Sequence, residues 1–302
     1  MAVLASEVYT TTATLVVLDC PQTSEFGIDL SSWSTGPNFK GIKMIPEGVH
    51  FVYCSGGEKY RDLGPRSGFW INVKGGDVLV RKWDNFVESM VEVEEEEEEC
   101  VRLGVKRYEF DQFLGAYQGG EGERRWEMLV RYVSGWVVGR CQSVGRVVYS
   151  DALLEEMKKK NIPNYNKETN LFFTTIPPSL VPQNPSPQQL TQYSLDKSFL
   201  LTHLLSKEYG GVEERMIGEL QFSFVCFLLG QRYEGFEQWK KMMIMFCRCE
   251  EALISHPDLF CLFVEASFEF LHHLPDDFFE DLLSRDNFLI KIFTEFFELV
   301  GE

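Results

Sequence analysis

The pattern of apolar and polar positions gives two kinds of element in turn, strands first and helices later. Thr14–Leu18 is a β-branched apolar run that stops at Asp19-Cys20-Pro21, and it reads as a strand. Beyond Pro46, Val49, Phe51 and Tyr53 alternate with His50, Val52 and Cys54, which is strand periodicity. Phe69–Val73 and Val78–Trp83 flank Lys74-Gly75-Gly76-Asp77, a short two-glycine connection that predicts a hairpin. Between these runs, Glu25–Lys43 holds Gly27, Gly36, Pro37 and Gly41 around Trp33 and Phe39. That composition predicts an ordered loop pinned by aromatic anchors. The expectation for residues 1–118 is a β-rich domain, an antiparallel sheet or small barrel.

Helical spacing takes over after Gly119-Gly120. Trp126, Leu129, Val130, Val133 and Val137 recur along one helical face, and Asp151–Lys160 reads as another short helix. Residues Pro163 to Pro187 carry six of the chain's twelve prolines, which prevents a continuous helix there. Residues 119–187 are therefore read as bridging helices and a Pro-rich linker, with Leu171–Ile176 able to add a strand to the first domain. Ser186, Pro187 and Gln189 have the order of a capping box, followed by a stripe of Leu190, Tyr193, Leu200, Leu201 and Leu204. Between Gly210-Gly211 and Gly230 the residues are apolar all round: Ile217, Leu220, Phe224, Phe227 and Leu228 at helical spacing, with Phe222, Val225, Cys226 and Leu229 on the other side. Such a helix is central. Gly230 suits the left-handed residue of a turn, and a second period follows at Tyr233, Phe236, Trp239, Met243 and Phe246, so a helical hairpin is predicted. Pro257-Asp258 starts a helix with Phe260, Phe263, Val264, Phe268 and Leu271 that stops before Pro275, Asp276-Asp277 starts the next, and the last carries Leu289, Ile292, Phe293 and Phe296. Residues 188–302 are thus expected to form an all-α domain of about six helices, and the fold class is α+β.

With 302 residues, 44% of them hydrophobic, the chain is long enough to build real cores. Its N-terminus lacks a basic region followed by an apolar run, and its longest apolar stretch is far below a membrane span. Eight cysteines at 20, 54, 100, 141, 226, 247, 249 and 261 follow no framework spacing, which fits reduced thiols in the cytoplasm or nucleus. The formal charge is −17, and without the seven acids Glu92 and Glu94–Glu99 it is still −10. Nucleic-acid binders owe most of their affinity to Lys and Arg on phosphates, so a basic protein partner fits this balance better than RNA or DNA. The Glu tract itself has like charges at every step and no apolar face, and is read as a disordered or solvated loop.

Chemistry finds no anchor in the motifs. Cys247-Arg248-Cys249, with His256, Cys261, His272 and His273 downstream, invites zinc, but two residues apart on a helix point about 200° apart, at roughly 3.6 residues per turn. Neither a phosphate-loop order, nor a GxSxG elbow, nor HExxH is present, so no enzyme, metal or cofactor is expected. Asp276-Asp277 has a sufficient role at a helix N-terminus. What remains is surface recognition. Trp33, Phe39 and Met44, interleaved with Lys40, Lys43 and Arg66, form a candidate partner-binding patch, since aromatic residues and Arg dominate interface energetics. The alternative is that Trp33 and Phe39 plug the open end of the sheet. Arg232, Tyr233 and Gln238 on the central hairpin are weaker candidates, because a helix needs polar residues on its wet side.

Several separated blocks resemble one known family. Gly218–Lys240, GELQFSFVCFLLGQRYEGFEQWK, is similar to the central helices of the Aar-two splicing-factor family, assembly chaperones of the U5 small nuclear ribonucleoprotein. Glu25–Ser55, Gly64–Trp70, Val78–Trp83 and Asp111–Tyr117 resemble that family's first domain in the same order. The resemblance implies a β-rich domain, a linker and a helical domain. It also implies a non-catalytic chaperone in the cytoplasm and nucleus, which binds the RNase H-like domain of the large Prp-eight protein and blocks premature partner binding. The acidic balance agrees, because a surface built to meet RNA is basic. In the family's best-known member a tail past the helical domain adds a strand between two domains of the partner; here the sequence runs to Glu302, about one helical turn after Phe297. A general helical interaction adaptor unrelated to splicing is the competing reading.

Overall fold

The computed structural model describes residues 10–56, 64–143, 146–162, 169–182, 184–274 and 288–301. Two compact units result, one of Met1–Glu127, Gln142–Leu171 and Leu229–Tyr233, the other of Met128–Cys141, Phe172–Leu228 and Glu234–Glu302. The first is β-rich and the second helical, an α+β chain.

The first unit is built on two five-stranded sheets. One contains β1 (Ala13–Leu18), β4 (Gly41–Ile45), β7 (Val78–Asp84), β8 (Ser89–Val91) and β9 (Gly115–Ala116), in the order β8-β7-β1-β4-β9. The other contains β2 (Glu25–Ile28), β3 (Ser31–Ser34), β5 (Gly48–Ser55), β6 (Arg66–Val73) and β10 (Val148–Tyr149), in the order β10-β6-β5-β2-β3. Pairing is antiparallel except for β1 with β7 and β4 with β9. Period-two alternation sorts the side chains. Ala13, Leu15 and Val17 of the first sheet meet Phe26, Ile28, Val52, Cys54, Phe69 and Ile71 of the second in one core, while Val16 and Val80 face the other way onto Val101 and Val105 of helix α1 (Glu95–Lys106). On the outer face of the second sheet, Trp70 meets Trp126 of α2 (Glu121–Leu129) with ring centroids 6.1 Å apart. Helix α4 (Asp151–Lys159), capped by Ser150, packs Leu153 and Met157 with Val147 and Tyr149.

Four expectations change here, each for a physical reason. The segment Glu25–Lys43 is a β2–β3 hairpin followed by the start of β4, with Phe26 opposite Trp33: Gly36 and Pro37 fall in the connection, and Gly27 sits within β2, where its missing side chain makes room for the Tyr53 ring. Lys74–Asp77 does make a tight turn, Asp77 N–H donating to the Lys74 carbonyl at 3.1 Å. Yet β6 and β7 do not pair. Thr14 N–H instead donates to the Asp77 carbonyl, and β7 continues beside β1, so that each strand buries its apolar face from an opposite side of the sandwich. The Glu tract is not a loop: Glu95–Glu98 form the first turn of α1, where carboxylates favour the positive end of the helix dipole by about 0.3–1 kcal/mol each. Glu97 pairs with Lys82 at 3.1 Å and Glu98 with Arg102 at 2.7 Å, and Val101 and Val105 supply the apolar face. Finally, the helix expected from Trp126 to Val137 is two, α2 and α3 (Gly135–Cys141), interrupted where Tyr132 N–H donates to Gln221 Oε1 at 2.8 Å.

The second unit holds α3 and the helices α5 (Pro187–Leu195), α6 (Ser198–Tyr209), α7 (Glu213–Leu228), α8 (Tyr233–Phe246), α9 (Glu250–Ser255), α10 (Pro257–His273) and α11 (Phe288–Gly301). Ser186 and Gln189 form the expected capping box at the start of α5, and Gly210 takes the left-handed conformation that ends α6. The α7–α8 hairpin is present, and α7 touches α3, α6 and α10. Its close approach depends on glycine: a Cβ on Gly235 would lie 2.7 Å from the Ser223 carbonyl, and one on Gly218 would overlap the Tyr132 carbonyl. The left-handed residue in the hairpin turn is Gln231, at φ 52°, not the expected Gly230. Residues 171–176 add no strand to the β-rich unit. Phe172 N–H donates to the Cys141 carbonyl and Phe173 meets Phe222 edge-on at 6.1 Å, so this extended stretch is a strap within the helical unit. The helix expected from Asp276-Asp277 lies outside the described residues.

Candidate interaction surfaces

The six residues of the candidate patch occupy different environments. Trp33 on β3 and Phe39 after it are half-buried and pack against the inter-sheet core, with Phe39 and Phe26 ring centroids 4.8 Å apart. Lys40 is tied by its backbone, its N–H donating to the Phe113 carbonyl. Lys43 Nζ pairs with Asp111 at 2.6 Å. Met44 is exposed and sits at φ 64°. Arg66 is buried, with Nη2 2.9 Å from Glu25 Oε1 and Nε 3.2 Å from Oε2, and its guanidinium lies 4.7 Å over the Tyr53 ring. Trp33 and Phe39 thus reach one core from its rim, Lys40, Lys43 and Met44 cluster at β4, and Arg66 is committed inward. On the hairpin, Tyr233 is exposed, while Arg232 and Gln238 are buried.

Further exposed apolar side chains lie on the last helices. Val264, Phe268 and Leu271 of α10 are exposed, Phe268 to 57%, while Leu259, Phe260, Phe263, Ala266 and Phe270 are buried. On α11, Ile290, Phe297 and Val300 are exposed, Phe297 to 66%, and Leu289, Ile292 and Phe296 are buried. The sequence reading placed Phe260, Phe263, Val264, Phe268 and Leu271 on one helix without assigning them to faces. Helical geometry separates them, because neighbours such as 263 and 264 point about 100° apart at roughly 3.6 residues per turn. The sets 260/263/270 and 264/268/271 are two faces, the first buried and the second exposed. Exposed apolar faces are where binding sites are found. Sequence spacing alone carried that signal: a stripe wider than one helix–helix contact can cover.

The polar groups buried in the β-rich unit are structural. His50 Nδ1 lies 2.6 Å from Asp29 Oδ2 and its Nε2 lies 2.9 Å from the Pro46 carbonyl, while Tyr117 Oη and Phe51 N–H also donate to Asp29, at 2.7 and 3.0 Å. An Asp–His pair whose second nitrogen faces a backbone carbonyl has no nucleophile to serve. Both ring nitrogens meet acceptors, which suits an imidazolium. Burial opposes that charge, but the hydrogen bond and charge of Asp29 outweigh it and hold His50 above the ordinary 6.5. A raised folded-state value means stability fully present below pH 6.5 and lost as pH rises through the folded value. The melting temperature is therefore expected to fall as pH is raised from 6 toward 9, and His50→Gln is expected to flatten that slope; an equal slope in both proteins would remove His50 as its source.

The cysteine–histidine run is dispersed. Cys247 and Cys249 are buried, burial pushing Cys247 up to about 12 and Cys249 well above the ordinary thiol value, whereas Cys261 is exposed. Among the described residues no three His, Cys, Asp or Glu side chains are grouped to hold a metal ion, and no helix is long and apolar enough to cross a membrane.

Two family models match the chain. The AAR2 N-terminal domain matches residues 11–143 and the AAR2 C-terminal repeat region matches residues 173–302. The chain belongs to the AAR2 family. It is 34% identical to the protein AAR2 homolog of Mus musculus, over 97% of this chain and 84% of that protein. For the homologs of Macaca fascicularis and Caenorhabditis elegans the identities are 33% and 34%, over 97% of this chain and 84% and 88% of theirs. The exposed faces of α10 and α11 lie inside the AAR2 C-terminal repeat region, and the candidate patch around Trp33 inside the AAR2 N-terminal domain.

Proposed function

We propose that this AAR2-family chain is a non-catalytic assembly chaperone of the U5 small nuclear ribonucleoprotein, acting in the cytoplasm and nucleus. It binds the RNase H-like domain of the Prp-eight protein and so blocks premature partners. The observation that carries the reading is family membership extending over both parts of the chain, which supports a splicing-related assembly role. Two features support the mode of action. The exposed aromatic and aliphatic faces of α10 and α11 offer the apolar anchors that protein interfaces use. The net charge of −17 complements a basic surface and steers encounter with it.

Titration calorimetry against the RNase H-like domain, at low and moderate salt, tests this. Binding that weakens as salt rises is the expected result. Phe268→Glu, at an exposed site that folding does not use, is expected to reduce affinity by about tenfold or more. No binding between two folded proteins would overturn the proposal and leave the general helical adaptor. Binding with unchanged affinity for Phe268→Glu would keep the function and move the contact away from α10.

A further inference from the structure

Met44 occupies a backbone conformation that its side chain does not favour. It sits at φ 64° within β4, in the left-handed region where a Cβ crowds the following carbonyl and which glycine and asparagine fill most readily. Among the described residues, every other non-glycine residue at positive φ lies outside the helices and strands. A bulge is the cause. Ala13 pairs with Ile45 and Leu15 with Ile42, so Thr14 of β1 faces two residues of β4, Lys43 and Met44.

The bulge decides which apolar side chain goes inward. In an unbroken strand alternate residues share a face, so Met44 would follow Ile42 into the inter-sheet core and Ile45 would point away from it. Instead Ile42 and Ile45 both lie in that core, 2% and 0% exposed, and Met44 is 41% exposed. The residue beside it is fixed. Lys43 Nζ bonds to Asp111 Oδ1 at 2.6 Å and to the Asp111 carbonyl at 3.2 Å, and the Lys43 carbonyl accepts from Tyr117 N–H at 2.9 Å. A glycine or asparagine at position 44 would make the same bulge with less strain, so the fold by itself gives no reason for an apolar side chain there.

Resting on the function proposed above, we propose that Met44 is the apolar anchor through which the β-rich unit grips its partner, seated in a recess of the RNase H-like domain lined by aromatic or aliphatic side chains. Strained backbone held in place by its surroundings recurs at ligand clamps, and bulges there re-aim a side chain. The thioether suits the task, being unbranched, adaptable and attracted to aromatic rings. Lys43 next to it is neutralised by Asp111, so the contact is apolar and carries no charge of its own. The acidic balance of the chain steers the encounter, and Met44 holds the complex once it has formed.

The test compares the full chain with Met44→Gly and Met44→Leu, by titration calorimetry against the RNase H-like domain at low and moderate salt and by thermal unfolding of each protein alone. Glycine relieves the backbone and removes the side chain, whereas leucine keeps both the strain and the apolar bulk. Met44→Gly is expected to melt about 2–4 °C higher and to bind about tenfold more weakly, by the same factor at both salt concentrations. Met44→Leu is expected to bind within about threefold of the unsubstituted chain. Unchanged affinity for Met44→Gly would overturn the anchor and leave the proposed function standing. A loss matched by leucine, or one that shrinks as salt rises, would overturn it too, by assigning the effect to side-chain shape or to charge. So would a lower melting temperature for Met44→Gly, which would make the side chain part of its own unit's packing. No binding by the unsubstituted chain, with both proteins folded, would remove the proposed function and this assignment with it.

Discussion

Replacing Glu219 by alanine is expected to destabilise the helical unit by about 3–5 kcal/mol, the loss typical of removing one member of a buried charged network. Glu219 lies on α7 and is fully buried. Its Oε1 accepts from Thr174 N–H at 2.7 Å and from Gln238 Nε2 at 3.0 Å, and its Oε2 accepts from the Thr174 hydroxyl at 2.8 Å and Tyr209 Oη at 3.0 Å. Arg140 Nε stands 3.9 Å away. One carboxylate therefore joins the strap at Thr174 to α3, α6, α7 and α8. Alanine takes the Glu219 acceptor away from the Thr174 N–H and hydroxyl and from Tyr209 Oη, while Gln238 Nε2 keeps the Thr174 carbonyl, and each buried group left unpaired costs about 1–3 kcal/mol. Glu219→Gln keeps the volume and the Oε1 contacts but turns an amide N–H₂ toward two hydroxyls, so a smaller loss is expected. Urea denaturation of the two variants measures both, and limited proteolysis reports whether Phe172–Ile176 is released. A cost below about 1 kcal/mol for Glu219→Ala would mean that the strap is held by Phe173 and its backbone bonds instead.

Glu219 also shows where reading the sequence succeeded and where it stopped. The all-round apolar run of α7 announced a central helix, and the structure buries Ile217, Leu220, Phe222, Phe224 and Val225 completely. A carboxylate inside that run was the anomaly worth following, because an acid is almost never fully buried without partners. Its partners could not be found by spacing, since Thr174, Tyr209 and Gln238 come from three separate segments. The β-rich unit repeats the lesson. A β-branched run located β1, alternation β5, and apolar runs beside a Gly-Gly turn β6 and β7, all of it local information. Pairing is not local: a tight Gly-Gly turn predicts a hairpin, and only burial of Phe69 and Ile71 from one side and Leu15 and Val17 from the other explains why the chain changes sheets instead. The Glu tract failed in the opposite way. Charge repulsion argued against order, but Lys82 on a neighbouring strand and the dipole of α1 answer that repulsion. Of the candidate patch, the residue types were legible and their orientations were not; Arg66 looks like an interface arginine until Glu25 is placed beside it.

Trp239→Ala is expected to cost about as much as the loss of Glu219, about 3–5 kcal/mol, through a different mechanism. Trp239 on α8 is completely buried at the centre of an aromatic cluster. Its ring lies 5.4 Å from Phe224 and 6.4 Å from Phe227 of α7, 6.0 Å from Phe270 of α10 and 5.8 Å from Phe288 of α11, the last two edge-on. Four helices therefore meet on one side chain. Alanine removes the whole indole, and the cavity cannot close by side-chain movement alone, because the facing rings are themselves held by their own helices. Trp239→Phe retains an aromatic edge and is expected to lose less, which separates the volume effect from any disturbance of α8. Thermal unfolding followed by far-ultraviolet circular dichroism gives both values. Equal losses for Ala and Phe would point to the shape of the indole, not its volume, as what the four helices require. A loss under about 1 kcal/mol for Ala would show that the α7–α8 hairpin is not the centre of the helical unit.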